Sequence, residues 1–429
     1  FRRLFPIRDI QTALNIKPAI SEEMINKIEI WQNCYSGKAY WLDKDLHSLR
    51  LEQSITREFS NITLNEMSAS VTVPKLDDIF QNAIRDLNIN MQEGLATGSF
   101  VIKPLGEDKV QYVSANAFVP VEFDNRGRLL KVIFPEFKKL GDNYYTRLEY
   151  HDLDLKEGLT ITNTAYMSGS ANTLGHQIPL TNVEEWASLE SKISYPMMKR
   201  PPFGYYRNPI KNAIDGSHCG VSIFDSALDL IHKADVQFGR IDWEFESAER
   251  RIDVDCTALK DGTRGNLEIK DKIFRAVEME DLFKDFSPEI REENFINGLE
   301  EYKRNIEFNV GLAYGDLSNP QNVSKTATEI RSAKERKFNT VTAIQKDLKN
   351  CLDDLVYALA FYNSMTTSGY KFICDFKDSI LVDEEAEREQ DRKDLANGTL
   401  RPEEYRAKWR GEDIETALNN LPKKAEVMT

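Results

Sequence analysis

Much of what catalytic, secreted or membrane proteins are built from is missing from this chain. Its five cysteines, Cys34, Cys219, Cys256, Cys351 and Cys374, are scattered and never spaced C-x-x-C. An odd, dispersed set excludes a disulfide framework and suits buried reduced thiols of a cytosolic setting. Zinc sites need clustered ligands, and only His218 and Cys219 adjoin. No metal or cofactor is expected. The longest apolar run, Leu355 to Tyr362, falls far short of the ~20 residues of a membrane span. The opening Phe1-Arg2-Arg3-Leu4-Phe5-Pro6 has no signal-peptide core, and its lack of Met reads as a trimmed N-terminus. No phosphate-loop, dinucleotide-binding, nucleophile-elbow or H-E-x-x-H pattern occurs. Positive charge is also short: 56 Lys and Arg against 70 Asp and Glu give −14. A broad grip on DNA phosphates is therefore not expected, although an acidic chain can surround DNA without holding it.

Hydrophobic content of 41% with 29% charged residues describes a folded chain, and 429 residues suffice for two to four cores. The pattern predicts an α+β fold. Residues 1–95 read as helical, with Ser21 capping one helix, a second from Leu49 to Met67, and a third opened by Pro74 with Leu76, Phe80, Ala83 and Leu87 on one face. From 98 to 185 the period shortens. Val101-Ile102, Val110 to Val113, Phe118 to Phe123, Leu129 to Phe134 and Tyr144 to Tyr150 read as antiparallel strands. Asp124-Asn125-Arg126-Gly127 makes a hairpin turn.

Between Gly220 and Asn363 the order changes character. A helix over 222–247 carries Phe224, Leu228, Ile231, Phe238, Ile241 and Phe245 at helical spacing, with Ala234 and Asp235 in the same stripe. A strand-rich insert, 248–286, follows. A second helix, opened by Ser287-Pro288, repeats Phe295, Leu299, Tyr302 and Ile306. A helix cannot pass through Gly311 to Val323, and Thr326 with Glu329 then starts a long helix to about Asn363. Its charged first half, from Lys325 to Lys337, reads as a solvated face or a DNA contact. Its second half, with Val341, Ile344, Leu348, Leu352, Leu355 and Leu359, reads as core. A strand at Lys371 to Phe376 and three short helices complete the chain. The whole suggests an arm that projects, returns, and leaves a loop at the bend.

One acidic cluster, Asp242, Glu244, Glu246, Asp253 and Asp255, can be read two ways. It is either a solvated helix end running into a strand, or a two-metal site of a DNA-processing hydrolase. The stripes are core or inter-subunit packing.

The order of these parts resembles the portal proteins of tailed bacteriophages, of the type found in phages of Gram-positive bacteria. The likeness is carried by Arg2 to Ile16 with Leu51 to Glu58; by Asp225 to Phe245, ending Arg240-Ile241-Asp242-Trp243-Glu244-Phe245; by Ile306 to Leu312 leading to Lys325 to Ile330; and by the Glu384 to Trp409 tail. None is a catalytic motif. The resemblance implies a portal fold: a mixed α/β wing (1–221 with 325–376), paired stem helices (222–247 and 287–311), a small clip (248–286), a tunnel loop (312–324) and a helical crown (377–429). It implies a non-enzymatic dodecameric ring at one capsid vertex, in the virion and, during assembly, in the host cytoplasm. Double-stranded DNA would pass through it. Terminase large subunit, head–tail adaptor, major capsid and scaffolding proteins would be partners, with no membrane. Asp316, Ser318, Asn319, Gln321, Asn322 and Lys325 would face DNA, and Lys260, Arg264, Lys270 and Lys272 would meet clip partners. Another ring-forming tail or capsid protein remains an alternative.

Overall fold

A computed structural model describes residues 7–106, 108–248, 251–255, 274–277, 283–286, 291–320, 327–376 and 384–421. It is mixed helix and sheet, of the α+β class. Contacts divide the chain into two units, one of residues 1–63 and 69–374, the other of 64–68 and 375–429.

The first unit opens with α1 (Ile7–Leu14), α2 (Glu22–Tyr35) and α3 (Leu51–Leu64). Ser21 caps α2 as its sequence suggests, its Oγ accepting the Met24 N–H at 3.1 Å. After β1 (Met67–Val71) come α4 (Pro74–Ala83) and α5 (Leu87–Thr97). The single helix expected after Pro74 is thus two. Ile84 closes α4, and the Leu87 N–H turns back to the Ile84 carbonyl.

Two sheets follow. β2 (Ser99–Pro104) is the middle strand of one, between β3 (Val110–Ser114) and β10 (Gly204–Arg207). The other is a meander: β4 (Val119–Phe123), β5 (Leu129–Leu140), β6 (Asn143–Asp154), β7 (Gly158–Ser168) and β8 (His176–Ile178), with β9 (Lys192–Tyr195) also on β7. Asp124 builds the β4–β5 turn, its Oδ1 accepting the Arg126 and Arg128 N–H groups at 2.8 Å each, and Gly127 takes φ +80°. β7 to β10 carry no apolar alternation strong enough to announce them.

The long helix α8 (Ala327–Tyr362) has 36 residues and runs about 54 Å. Val341, Ile344, Leu348, Leu352, Leu355 and Leu359 are all fully buried, as their spacing predicts. Gly204 allows the close approach of α8 to β10, since a Cβ there would lie 2.5 Å from the Cys351 carbonyl oxygen. Cys34, Cys219, Cys351 and Cys374 are buried thiols. Among the described residues no helix is long and apolar enough to cross a membrane.

A charged knot lies inside this β region. Glu149 Oε1 is 2.6 Å from both Lys103 Nζ and His151 Nε2, and Oε2 is 3.0 Å from Arg147. Arg147 also holds Glu136 at 2.7 Å. Two cations thus balance two carboxylates, which is what lets charges persist away from water. A carboxylate only accepts, so His151 donates from Nε2, and its buried Nδ1 has no partner among the described residues. Burial pushes the His151 imidazole below its usual range, despite the pull of Glu149. Burial alone would raise Glu149, but the His151 hydrogen bond and the Lys103 and Arg147 charges hold it well below the carboxylate range.

The second unit holds α9 (Glu384–Ala396), α10 (Pro402–Arg410) and α11 (Ile414–Asn419). Ion pairs dominate it: Arg406 meets both oxygens of Glu412, and Lys408 meets Asp391 at 2.7 Å. Ala417 is the one fully buried side chain among those described there.

His151 and Glu149 bind fewer protons folded than unfolded, so acid favours unfolding. Relative to His151→Gln, the unmutated chain should lose stability as pH falls below about 6.5, the ordinary histidine range. His151→Gln itself should cost about 1–2 kcal/mol at neutral pH. Denaturant titrations at stepped pH check both. Gly220 faces Gly98, where a Cβ on Gly220 would sit 2.0 Å from the Gly98 carbonyl oxygen. Gly220→Ala should therefore destabilise by about 2–3 kcal/mol, read from the same titrations.

Candidate functional site

The sequence points to the segment after Gly220, and the fold builds it from the root outward. Asn208 sets that root. Its Nδ2 donates to the Leu95 and Val221 carbonyls at 2.9 and 2.8 Å. A short 3-10 turn at Asp225–Ala227 leads into α6 (Leu228–Ser247). Phe224 and Ile231 are fully buried and Leu228 nearly so, but Phe238 and Ile241 are half-buried and Phe245 is 45% exposed. The apolar stripe is therefore core at its base and surface at its far end.

α7 (Glu292–Val310) returns antiparallel to α6. Ser226 Oγ donates to the Asn309 carbonyl, Gln237 Nε2 to the Phe295 carbonyl, and Arg291 clasps Glu244 at 2.9 Å. Each step up one helix is a step down the other. Leu299 and Ile306 are buried, while Phe295 and Tyr302 are half-buried. α7 starts at Glu292; Ser287 and Pro288, the expected start, lie outside the described residues. Between the two helices in sequence lie β11 (Arg251–Asp255), β12 (Phe274–Val277) and β13 (Phe283–Phe286), with β11 parallel to β12 and antiparallel to β13.

The turn after α7 is organised by one carboxylate. Gly311 ends the helix at φ +85°, where a Cβ would also strike Thr340 Oγ1. Glu307, fully buried, accepts the N–H groups of Gly315, Leu317 and Ser318 at 3.1, 2.6 and 2.8 Å, and the Ser318 hydroxyl at 3.0 Å. Glu300 accepts the Asn319 N–H at 2.6 Å. Asp316 accepts the Ala313 N–H and pairs with Lys337 at 2.9 Å, and Lys337 also reaches Glu58 on α3 at 3.1 Å.

The helix does end at Gly311, as read in the sequence, and the loop after it is a held turn. Residues 312–319 are a fixed turn, because backbone donors that have left the helix converge on Glu307 and Glu300. Ser318 is 5% exposed and Asp316 is committed to Lys337. Asn319 is exposed. Gln321, Asn322 and Lys325 lie outside the described residues, as do Lys260, Arg264, Lys270 and Lys272. The charged face of α8 also differs from expectation. Lys334 and Glu335 are exposed, but Lys337 is buried in its ion pairs, and the Arg336 guanidinium lies 4.4 Å from the Phe308 ring centroid.

In the acidic cluster, Glu244 is taken by Arg291, while Asp242 and Glu246 are exposed. Asp253 and Asp255 alternate on the central strand β11, and their side chains are not among those described. Among the described residues no three His, Cys, Asp or Glu side chains group as metal ligands.

The residues least visible in the sequence hold the root of α6. The indole of Trp31 donates to Asp225 at 2.8 Å, and that of Trp41 to Asp235 at 2.9 Å. The Trp41 ring stacks on His232 at 4.8 Å, and Leu46 packs at Gly239. The available signal was Asp235, an acid inside an apolar stripe.

Glu307→Gln keeps the shape but places an amide NH₂ among donors. It should cost about 2–3 kcal/mol and raise amide exchange at 313–319 while leaving 341–359 protected. Hydrogen-exchange mass spectrometry reads both segments. No protein-family model matches this chain, and no curated protein matches it as a relative.

Proposed function

We propose that this chain is a portal protein of a tailed bacteriophage. In this reading it is one subunit of a dodecameric ring at a capsid vertex, through which double-stranded DNA enters and leaves. Terminase and the head–tail adaptor dock on the ring. The finer portal fold belongs to the same reading, with the α6–α7 hairpin as stem, β11–β13 as clip and 312–324 as tunnel loop.

One arrangement supports it above the others. An antiparallel helix pair leaves a wing-like α/β body, carries a small sheet between its two helices in sequence, and returns through a tightly held turn into a helix whose far half is core. Such a layout presents structure, not a reaction centre. The −14 charge favours sliding, because every phosphate neutralised by a cation adds affinity and salt dependence. Neutral donors such as Asn319 offer weaker contacts.

Native mass measurement at micromolar concentration should give a large, discrete oligomer, and a soluble monomer as the sole species would sink the proposal. Replacing Asn319, Gln321 and Asn322 together with Ala should leave that mass unchanged and lower the DNA retained per particle several-fold. No metal-dependent nuclease activity should accompany the purified ring. Activity that vanished in Asp242→Ala with Asp253→Ala, at unchanged circular dichroism, would transfer the function to a DNA-processing hydrolase.

A further inference from the structure

The strap of residues 31–50 that grips α6 ends against an unexplained group. Glu52, in the first turn of α3, is 1% exposed, and among the described residues no other residue donates a hydrogen bond to its carboxyl oxygens. A buried carboxylate left without donors is among the costliest arrangements a fold can hold. Asp235 on α6, the acid whose charge faces it, is fully buried. The donors of the region go to Asp235. Trp41 Nε1 and the Leu49 N–H reach its two oxygens at 2.9 and 2.8 Å. Two buried carboxyls share the site and only Asp235 is supplied with hydrogen bonds by other residues, so the charge sits on Asp235 and the proton on Glu52.

We propose that Glu52 and Asp235 form a proton-dependent catch that holds the 31–50 strap against the root of α6. With Glu52 neutral, the strap closes on α6 through Trp41, Leu46 and Leu49. With Glu52 ionised, two like charges oppose each other away from water, and opening the strap relieves them by letting solvent in.

The surrounding groups are consistent with this. Burial pushes the Asp235 carboxyl up as well, against the Leu49 and Trp41 hydrogen bonds and the His232 charge; from the strap, Arg50 favours both charged forms. From α2, Cys34 offers no cation, since burial and then the Glu52 and Asp235 charges push its thiol up to about 12. At the start of α3, Glu52's own backbone N–H favours its charged form. Burial is the larger effect, and with the Asp235 charge it pushes Glu52 up to about 7. A value raised in the folded state means that the stability it contributes is complete below the ordinary glutamate range and is lost as pH rises through about 7. The joint works this way whatever passes along the α6–α7 hairpin.

Two measurements on the full chain test the catch. Infrared difference spectra of the unmutated protein should show the carbonyl stretch of a protonated carboxylic acid at pH 6 that fades as pH is raised past 7. Glu52→Gln should lack that band. In hydrogen exchange, the amides of 41–50 in the unmutated chain should speed up relative to Glu52→Gln by roughly tenfold per pH unit between about 5 and 7, then level off. No acid band at pH 6, or a ratio of exchange rates that does not change with pH, would overturn the proposal. The infrared result stands by itself if Glu52→Gln fails to fold.

Discussion

Buried backbone N–H groups of a turn need acceptors, and after the end of α7 three of them converge on the Glu307 carboxylate. The side chain that closes the turn belongs to the helix that precedes it. α7 therefore dictates the path of 312–319. Lys337 carries the arrangement further, since its ammonium joins Asp316 in the turn to Glu58 on α3 while standing on α8. The turn and α8 are thereby tied to α3, which is far away in sequence, by one buried cation. Gly311 completes the junction by letting α8 pass close to the end of α7.

A similar logic holds the other end of the hairpin. Asp225 and Asp235 lie on or beside α6 where apolar burial is densest, and each is supplied by a tryptophan indole from the N-terminal region. Polar groups buried with partners are specific where apolar packing is not, because only one register of α6 against the strap satisfies both indoles. The hairpin is thus rigid at its root and increasingly solvent-facing toward Trp243 and Phe245. In the conduit reading, such a member is anchored in the body and presents its far end to partners.

The buried charges of the β region serve the body. Glu149 is surrounded by Lys103, Arg147 and His151, and Phe134 lies 4.8 Å from the Lys103 ammonium. This knot tightens as carboxylates ionise. The Glu52 and Asp235 pair has the opposite sign. Two parts of one chain therefore respond to pH in opposite directions, one by balanced charges and the other by uncompensated ones.

Most helices and their order were legible from local sequence, α1 and the break between α4 and α5 apart. Ser21 is a cap wherever it falls before Glu22 and Glu23, and the spacing from Val341 to Leu359 puts those side chains on one face of any helix. Gly398 and Gly411 separate the last three helices because only glycine readily takes the left-handed conformation found there. The α6–α7 pairing was visible as two stripes of matching period. What local sequence could not carry was the choice of partner. Glu307, Lys337 and Glu52 read as ordinary charged residues of helices, and only tertiary packing buries them; Asp235 alone stood out, as an acid inside an apolar stripe. The same holds for β7 to β10, whose pairing depends on strands already in place. Periodicity is a property of a segment and survives in the sequence. The environment of a charge is a property of the whole fold, and no segment encodes it.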